Sequence, residues 1–149
     1  MRRVTLALAA IVVGGGLIAQ KPNPVFTYDD FTNAMKTLGR NFAAVNSLIS
    51  KNDYDGAKGQ LARSRELLAT TITFWRDRKK DDAIKMLRDT EAMLDELDAA
   101  LSAEKVDPTR VNAAVRQAGA ACQTCHTVYR EQDPQSRGYR LKAARSQQQ

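Results

Sequence analysis

Apolar side chains recur at alternating steps of three and four residues in four segments of this chain, roughly residues 27–49, 54–75, 84–101 and 108–131. This spacing places them along one face of an α-helix, and no segment shows the two-residue alternation that is typical of a half-buried strand. Short polar stretches separate the four segments. The pattern predicts an all-α fold, an up-down-up-down four-helix bundle.

Capping residues define the starts of the first and last predicted helices. Thr27 is the expected N-cap of the first helix, because Asp29 and Asp30 follow where the helix dipole favours acidic side chains. Asp107 and Pro108 are expected to be the N-cap and first residue of the last helix. That helix has its apolar stripe at Val111, Val115, Ala118, Cys122, Cys125 and Tyr129.

The two ends of the chain differ in composition from the helical part. The opening "MRRVTLALAAIVVGGGLIAQ" has two arginines before an apolar run, which is typical of a secretory signal peptide over residues 1–20. Three glycines at 14–16 would weaken a membrane helix, so cleavage near Ala19 is favoured over retention as an anchor. A helical domain is predicted over residues 25–131, followed by a mobile, basic polar tail over residues 132–149. The export signal predicts a periplasmic location.

The net charge of +6 is concentrated in the two ends of the chain. Two of the basic residues precede the apolar run and four lie in residues 134–149, so residues 21–133 have balanced charge. No basic stripe interleaved with aromatic residues is present, which argues against nucleic-acid binding. The tail is expected to be a solubilising end, or else a handle for an acidic partner or a membrane surface.

Both cysteines and the only histidine lie within the last predicted helix, at Cys122, Cys125 and His126. Residues four apart stack on one side of a helix, so a planar group could contact both sulfurs and the imidazole. Cys-x-x-Cys-His is the attachment signature of c-type haem. Two thiols can add to the two vinyl groups of a porphyrin, and the adjacent imidazole can coordinate iron. The motif therefore predicts one covalently bound haem c.

Three other readings of the two cysteines are weaker. A zinc site needs four ligands, and the chain offers only three cysteine or histidine candidates. A dithiol oxidoreductase places its cysteines at a helix N-terminus beside a βαβ unit, whereas these lie near a helix C-terminus. A disulfide between cysteines three apart on one helical turn has unfavourable Cβ directions.

With Tyr129 and Arg130 following the motif, the chain resembles the cytochrome c prime family, the class II c-type cytochromes. The resemblance covers roughly residues 25–131 in architecture and implies an exported four-helix bundle with haem near its C-terminus. It implies that Cys122 and Cys125 are thioether anchors and that His126 is the proximal iron ligand. It places Tyr129 and Arg130 near the proximal face of the haem.

The same resemblance aligns Met35 with the position on the other side of the iron. Family members with methionine there have a low-spin iron held by histidine and methionine, so Met35 is the expected sixth ligand. At 1.5 Å per residue, Met35 is about 10 Å from the start of the first helix, and His126 about 8 Å from the end of the last. Met86 falls off the apolar stripe of its helix, and Met93 is too deep. Phe31 occupies a position where many members have an arginine that pairs with a propionate.

The expected function is single-electron transfer between redox partner proteins, without substrate turnover. With both axial positions filled, iron can change oxidation state with little rearrangement. The alternative is a five-coordinate cytochrome c prime that binds nitric oxide or carbon monoxide at an open distal site. A peroxidase is less favoured, because no distal histidine or arginine is expected near Met35. The resemblance also allows a homodimer, although no exposed apolar stripe identifies its surface.

Overall fold

The computed structural model describes residues 24–142, so the predicted signal peptide lies outside the described part. The helices are α1 (Tyr28–Ser50), α2 (Tyr54–Thr70), α3 (Ile72–Asp77), α4 (Asp81–Leu101) and α5 (Pro108–Tyr129). Two short strands follow, β1 (Arg130–Gln132) and β2 (Tyr139–Leu141). About 75% of the described residues are helical and the sheet is small, which confirms the all-α prediction with four long helices.

The helix starts agree with the capping signals in the sequence. The hydroxyl of Thr27 accepts a hydrogen bond from the backbone N–H of Asp30 at 3.1 Å. The carboxylate of Asp107 accepts one from the N–H of Thr109 at 2.9 Å, and Pro108 is the first helical residue. These side chains satisfy N–H groups that have no partner inside the helix. They fix where α1 and α5 begin.

The prediction of one uninterrupted second helix from Tyr54 to Trp75 is wrong. This segment is divided into α2 and α3 at Thr71. The hydroxyl of Thr71 donates to the carbonyl of Leu68 at 2.7 Å, and the hydroxyls of Thr70 and Thr73 make similar bonds to the preceding turn. Such back-bonding competes with the helical pattern and bends helices. The break leaves Trp75 at 0% exposure in the core.

The helices pack in chain order around one core. Helix α1 packs on α2, α2 on α4, and α4 on both α3 and α5. Polar ties join neighbouring helices: Gln60 of α2 donates to Asn41 of α1 at 2.9 Å, and Arg65 of α2 pairs with Asp95 of α4. The side chains of Leu61, Leu97 and Val111 are at 0% exposure in the core. No described helix is both long enough and apolar enough to cross a lipid bilayer.

A β-hairpin follows α5, where two more helical residues and then a tail were predicted. The last helix was predicted to reach Glu131, but α5 ends at Tyr129 and β1 pairs antiparallel with β2. Asp133 organises the turn, since its carboxylate accepts from the N–H groups of Gln135 and Ser136 at 3.0 and 2.8 Å. Residues 132–142 thus have defined structure, and the rest of the predicted tail lies outside the described residues.

Candidate functional site

A cavity of about 580 Å³ lies between α1 and α5, and side chains of α2, α3 and α4 form the rest of its wall. This volume falls in the range of sites that enclose a small molecule or cofactor. Helices α1 and α5 are not among the described pairs that pack closely along their length. They approach each other at Gly119, where an added Cβ would be 4.0 Å from Phe42. The cavity occupies the space that closer packing of these helices would fill.

The motif residues of α5 line this cavity. Cys122, Cys125 and His126 are all half-buried and contribute to its wall, as do Tyr129 and Arg130 at the end of the helix. The stripe predicted for α5 therefore divides into two parts. Val111 and Ala118 are buried in the core, whereas the two cysteines face the cavity. Every site residue that the sequence analysis named on α5 belongs to one cavity.

Met35 lines the same cavity from α1, together with Leu38 and Phe42. These three side chains belong to the predicted apolar stripe of the first helix, yet all are only half-buried. Met86 and Met93 are also half-buried and pack against the core, but neither lines the cavity. Of the methionines within residues 24–142, only Met35 shares the cavity with His126.

His126 is neutral at physiological pH in this environment. Burial lowers the pKa of its imidazole to about 4, and the positive charge of Arg130 acts in the same direction. A neutral imidazole has a ring nitrogen available to coordinate a metal. His126 is thus in the protonation state that a metal ligand requires.

The thiols are also in their neutral form, which bears on the alternative readings. Burial raises the pKa of Cys125 to about 11, with neighbouring Cys122 and Asp82 adding to the effect, and burial raises the pKa of Cys122 as well. Catalytic dithiols have a lowered pKa, because the thiolate is the nucleophile. The two cysteines are not joined in a disulfide. Their environment does not favour thiolate chemistry.

Tyr129 fixes the end of α5 against the aromatic core. Its hydroxyl donates to a carboxylate oxygen of Asp82 at 2.7 Å, and its ring centroid is 4.6 Å from that of Trp75. Trp75 in turn contacts Phe31 edge-on at 5.1 Å, and these three rings link α5 to α1 at the cavity wall. Phe31 is therefore part of this aromatic cluster. The contacts hold the helical turn that carries His126.

The polar groups in the cavity wall are few, and the charged ones are all cationic. The hydroxyls of Ser64 and Thr90 donate to backbone carbonyls of their own helices at 3.0 and 2.8 Å. The buried indole N–H of Trp75 makes no hydrogen bond with any described residue. Three cationic side chains and no described acidic one contribute to the wall, namely Lys36, Arg130 and Arg140. The cavity suits a largely apolar molecule with negative charge at its edge.

Sequence reasoning missed the part of the wall that comes from the hairpin. Tyr139, Arg140 and Leu141 line the cavity beside α5, although these residues were assigned to a mobile tail. The one sequence signal is the alternation of an aromatic, a basic and an apolar residue in "YRL". Three residues are too few to identify a strand by periodicity.

Comparison of the chain with protein-family models, with curated proteins and with solved structures gives no match. Within residues 24–142, no group of three or more histidine, cysteine, aspartate or glutamate side chains is arranged to hold a metal ion.

Proposed function

We propose that this chain is an exported mono-haem c-type cytochrome that carries single electrons between redox partner proteins in the periplasm. The fold would be an up-down-up-down four-helix bundle with haem c between its first and last long helices. The proposal depends on one observation above all. Cys122, Cys125 and His126 of α5 line a single cavity with Met35 of α1.

The chemical character of the cavity supports a porphyrin, and its volume of about 580 Å³ falls in the range of cofactor sites. Apolar side chains from several helices would surround the ring. Lys36 and Arg130, the cationic wall residues that pair with no carboxylate within residues 24–142, would match the two carboxylates of a haem. The buried Trp75 N–H adds a donor that lacks an acceptor among the described residues. A buried unsatisfied donor costs free energy, and natural folds rarely retain one without a use. These features support a bound molecule in the cavity.

Each motif residue would have a distinct role in holding the haem. The S–H groups of Cys122 and Cys125 would add across the two vinyl C=C bonds, each forming one C–S bond and transferring its hydrogen to the other carbon. His126 would coordinate from the α5 side as a neutral imidazole. The thioether of Met35 would coordinate from the α1 side, and thioether ligation raises the reduction potential.

When bound, haem supplies an iron that alternates between the ferrous and ferric states. The chain would supply the rest: His126 and Met35 would hold the iron, the apolar wall would exclude water, and the packed helices would resist rearrangement. Electron transfer of this kind requires no side chain that transfers a proton to a substrate. With His126 and Met35 both bound, the iron would also have no position left for a substrate. Electron transfer without turnover is therefore the reaction that this site supports best.

The first experiment tests covalent haem attachment. The full-length gene is expressed in a bacterial host with haem c maturation proteins, and the intact mass and pyridine haemochrome spectrum are measured. We expect one haem per chain, and its loss in the double variant Cys122→Ala/Cys125→Ala. A colourless product with the mass of the polypeptide alone would refute the proposal.

The second experiment separates electron transfer from gas binding. The ferrous protein should show a low-spin spectrum that carbon monoxide does not change, because Met35 fills the sixth position. Met35→Ala should give a high-spin spectrum that shifts with carbon monoxide. The matched control, Met93→Ala, removes a half-buried methionine outside the cavity and should behave like the wild type. If the wild-type protein binds carbon monoxide readily, the electron-carrier proposal is refuted and a gas-binding cytochrome is supported instead.

A further inference from the structure

The C-terminal hairpin places one uncompensated positive charge beside the cavity. The guanidinium of Arg140 pairs with Glu131 at 2.9 Å and with Asp133 at 2.7 Å, so two carboxylates already neutralise it. Arg130 also lines the cavity, but no carboxylate within residues 24–142 pairs with its guanidinium. Arg130 is thus the hairpin cation that is available to an anionic ligand.

A stacked aromatic ring fixes the position of Arg130. The guanidinium carbon lies 4.2 Å from the centroid of the Tyr139 ring. The hairpin register explains this contact, because Arg130 pairs with Leu141 and Tyr139 is two residues earlier on the same face. Diagonal neighbours in an antiparallel pair are within reach of long side chains. Tyr139 remains 61% exposed, so its contact with Arg130 does not result from burial in the core.

The hairpin itself is tied to the end of α5. The backbone N–H of Lys142 donates to the carbonyl of Tyr129 at 2.8 Å, and the Lys142 ammonium donates to the carbonyl of Thr127 at 2.8 Å. Both carbonyls lie at the helix end, where no further helical turn can supply a donor. The face that carries Arg130 and Tyr139 is therefore held at the cavity.

We propose that Arg130 binds a carboxylate of the molecule in the cavity and that Tyr139 is a positioning residue for Arg130. The proposal rests on the proposed function, in which that carboxylate is a haem propionate. Arginine binds carboxylates through a planar array of donors, and the stack fixes the plane of those donors before the ligand arrives. A guanidinium held in place loses less side-chain freedom on binding. The hairpin would thus supply the cation for a propionate, which Phe31 of α1, as an apolar residue, does not supply.

The test uses two probes that differ only at their carboxylates. Full-length, haem-free protein with reduced thiols is titrated with haemin and with haemin dimethyl ester, whose carboxylates are masked. Arg130→Leu should weaken haemin binding about tenfold or more, as expected for a lost hydrogen bond to a charged group, with less than about a twofold effect on the ester. Tyr139→Ala should weaken haemin binding selectively by a smaller factor, and Tyr139→Phe should retain wild-type affinity because the ring remains.

Control variants separate this role from general effects. Arg116→Leu removes one positive charge from an exposed position of α5 outside the cavity, and it should leave both affinities unchanged. Arg130→Gln serves as a second variant if Arg130→Leu loses helical content by circular dichroism. Equal weakening of both probes by the Arg130 variants would overturn carboxylate binding, as would no weakening at all.

The remaining outcomes show which part of the two proposals would be wrong. Selective weakening by Arg130→Leu with wild-type behaviour of Tyr139→Ala would overturn the positioning role of Tyr139. A wild-type chain that binds neither probe would count against the cavity as a haem site, and so against both proposals. Wild-type binding of both probes with equal affinity would overturn carboxylate recognition alone.

Discussion

The hydrogen bond between Tyr129 and Asp82 should stabilise the fold by an amount that depends on pH. It joins the last residue of α5 to the first turn of α4 at 2.7 Å. Hydrogen bonds to charged groups contribute about 1.5–3 kcal/mol, and the solvent exposure of the Asp82 carboxylate reduces that value. We therefore expect a coupling free energy of about 1 kcal/mol between the two side chains.

A double-mutant cycle measures this coupling. Tyr129→Phe, Asp82→Ala and the double variant are unfolded with urea at pH 7, and the free energies of unfolding are compared with the wild type. The double variant should be about 1 kcal/mol more stable than the sum of the single effects predicts. Asp81→Ala is the matched control, because it removes another acidic residue from the first turn of α4. It should show no coupling with Tyr129→Phe.

The pH dependence follows from the pKa of Asp82. The hydrogen bond from Tyr129 lowers this pKa below its usual value, although burial opposes the shift. A carboxylate with a lowered pKa stabilises the folded state above its unfolded pKa of about 3.9, and this stabilisation is lost as the pH falls through the folded pKa. The coupling should be full at pH 7 and should decrease as the pH falls below about 3.9 and through the folded pKa. Coupling absent at pH 7, or unchanged at low pH, would refute the reasoning.

Further predictions concern glycines and leucines, and urea unfolding checks each of them. In haem-free protein, Gly39→Ala should raise the free energy of unfolding by about 0.5–1 kcal/mol, because a Cβ at this position of α1 would lie at the cavity wall and meet no atom within 4 Å; a loss of stability would contradict this. Gly56→Ala should give no such gain, because the added Cβ would be 2.5 Å from the capping carboxylate of Asp53, and loss of that cap, at about 1 kcal/mol, offsets the better helix propensity; a gain equal to that of Gly39→Ala would contradict this. Leu61→Ala, at 0% exposure in the core, should cost about 2–5 kcal/mol, whereas Leu38→Ala at the cavity wall should cost less in haem-free protein; equal losses would show that the cavity collapses there.

The sequence predicted the helices wherever a local signal controls them. Thr27 and Asp107 cap α1 and α5 as expected, because a capping hydrogen bond involves residues only a few positions apart. The break at Thr71 was missed because the apolar spacing continues in phase across it. The back-bonding of its hydroxyl leaves that spacing unchanged. Periodicity therefore predicted the four long helices, but it missed the break at Thr71 and the end of α5 at Tyr129.

The cavity wall was predictable only in part. An apolar stripe does not distinguish a side chain that meets another helix from one that faces a cavity, so Val45 and Met35 look alike in the sequence. The Cys-x-x-Cys-His motif identified the α5 side because its chemistry is local. The hairpin was missed because its two short strands carry no periodic signal. They are held together by ion pairs such as Arg140 with Asp133 and by hydrogen bonds from the turn to the Asp133 carboxylate.

The location of the cavity between α1 and α5 also determines how a large flat molecule can enter it. Its two main walls are the helices farthest apart along the chain, and bringing distant segments together carries a loop-closure penalty. Helix α1 is held by α2, including the bond between Gln60 and Asn41, and by the contact of Phe31 near its start with Trp75 of α3. The rest of its other side borders the cavity. We expect α1 to move away from the bundle more readily than α4 and α5, and this movement would open the cavity. The amides of α1 should therefore exchange with deuterium before those of α4.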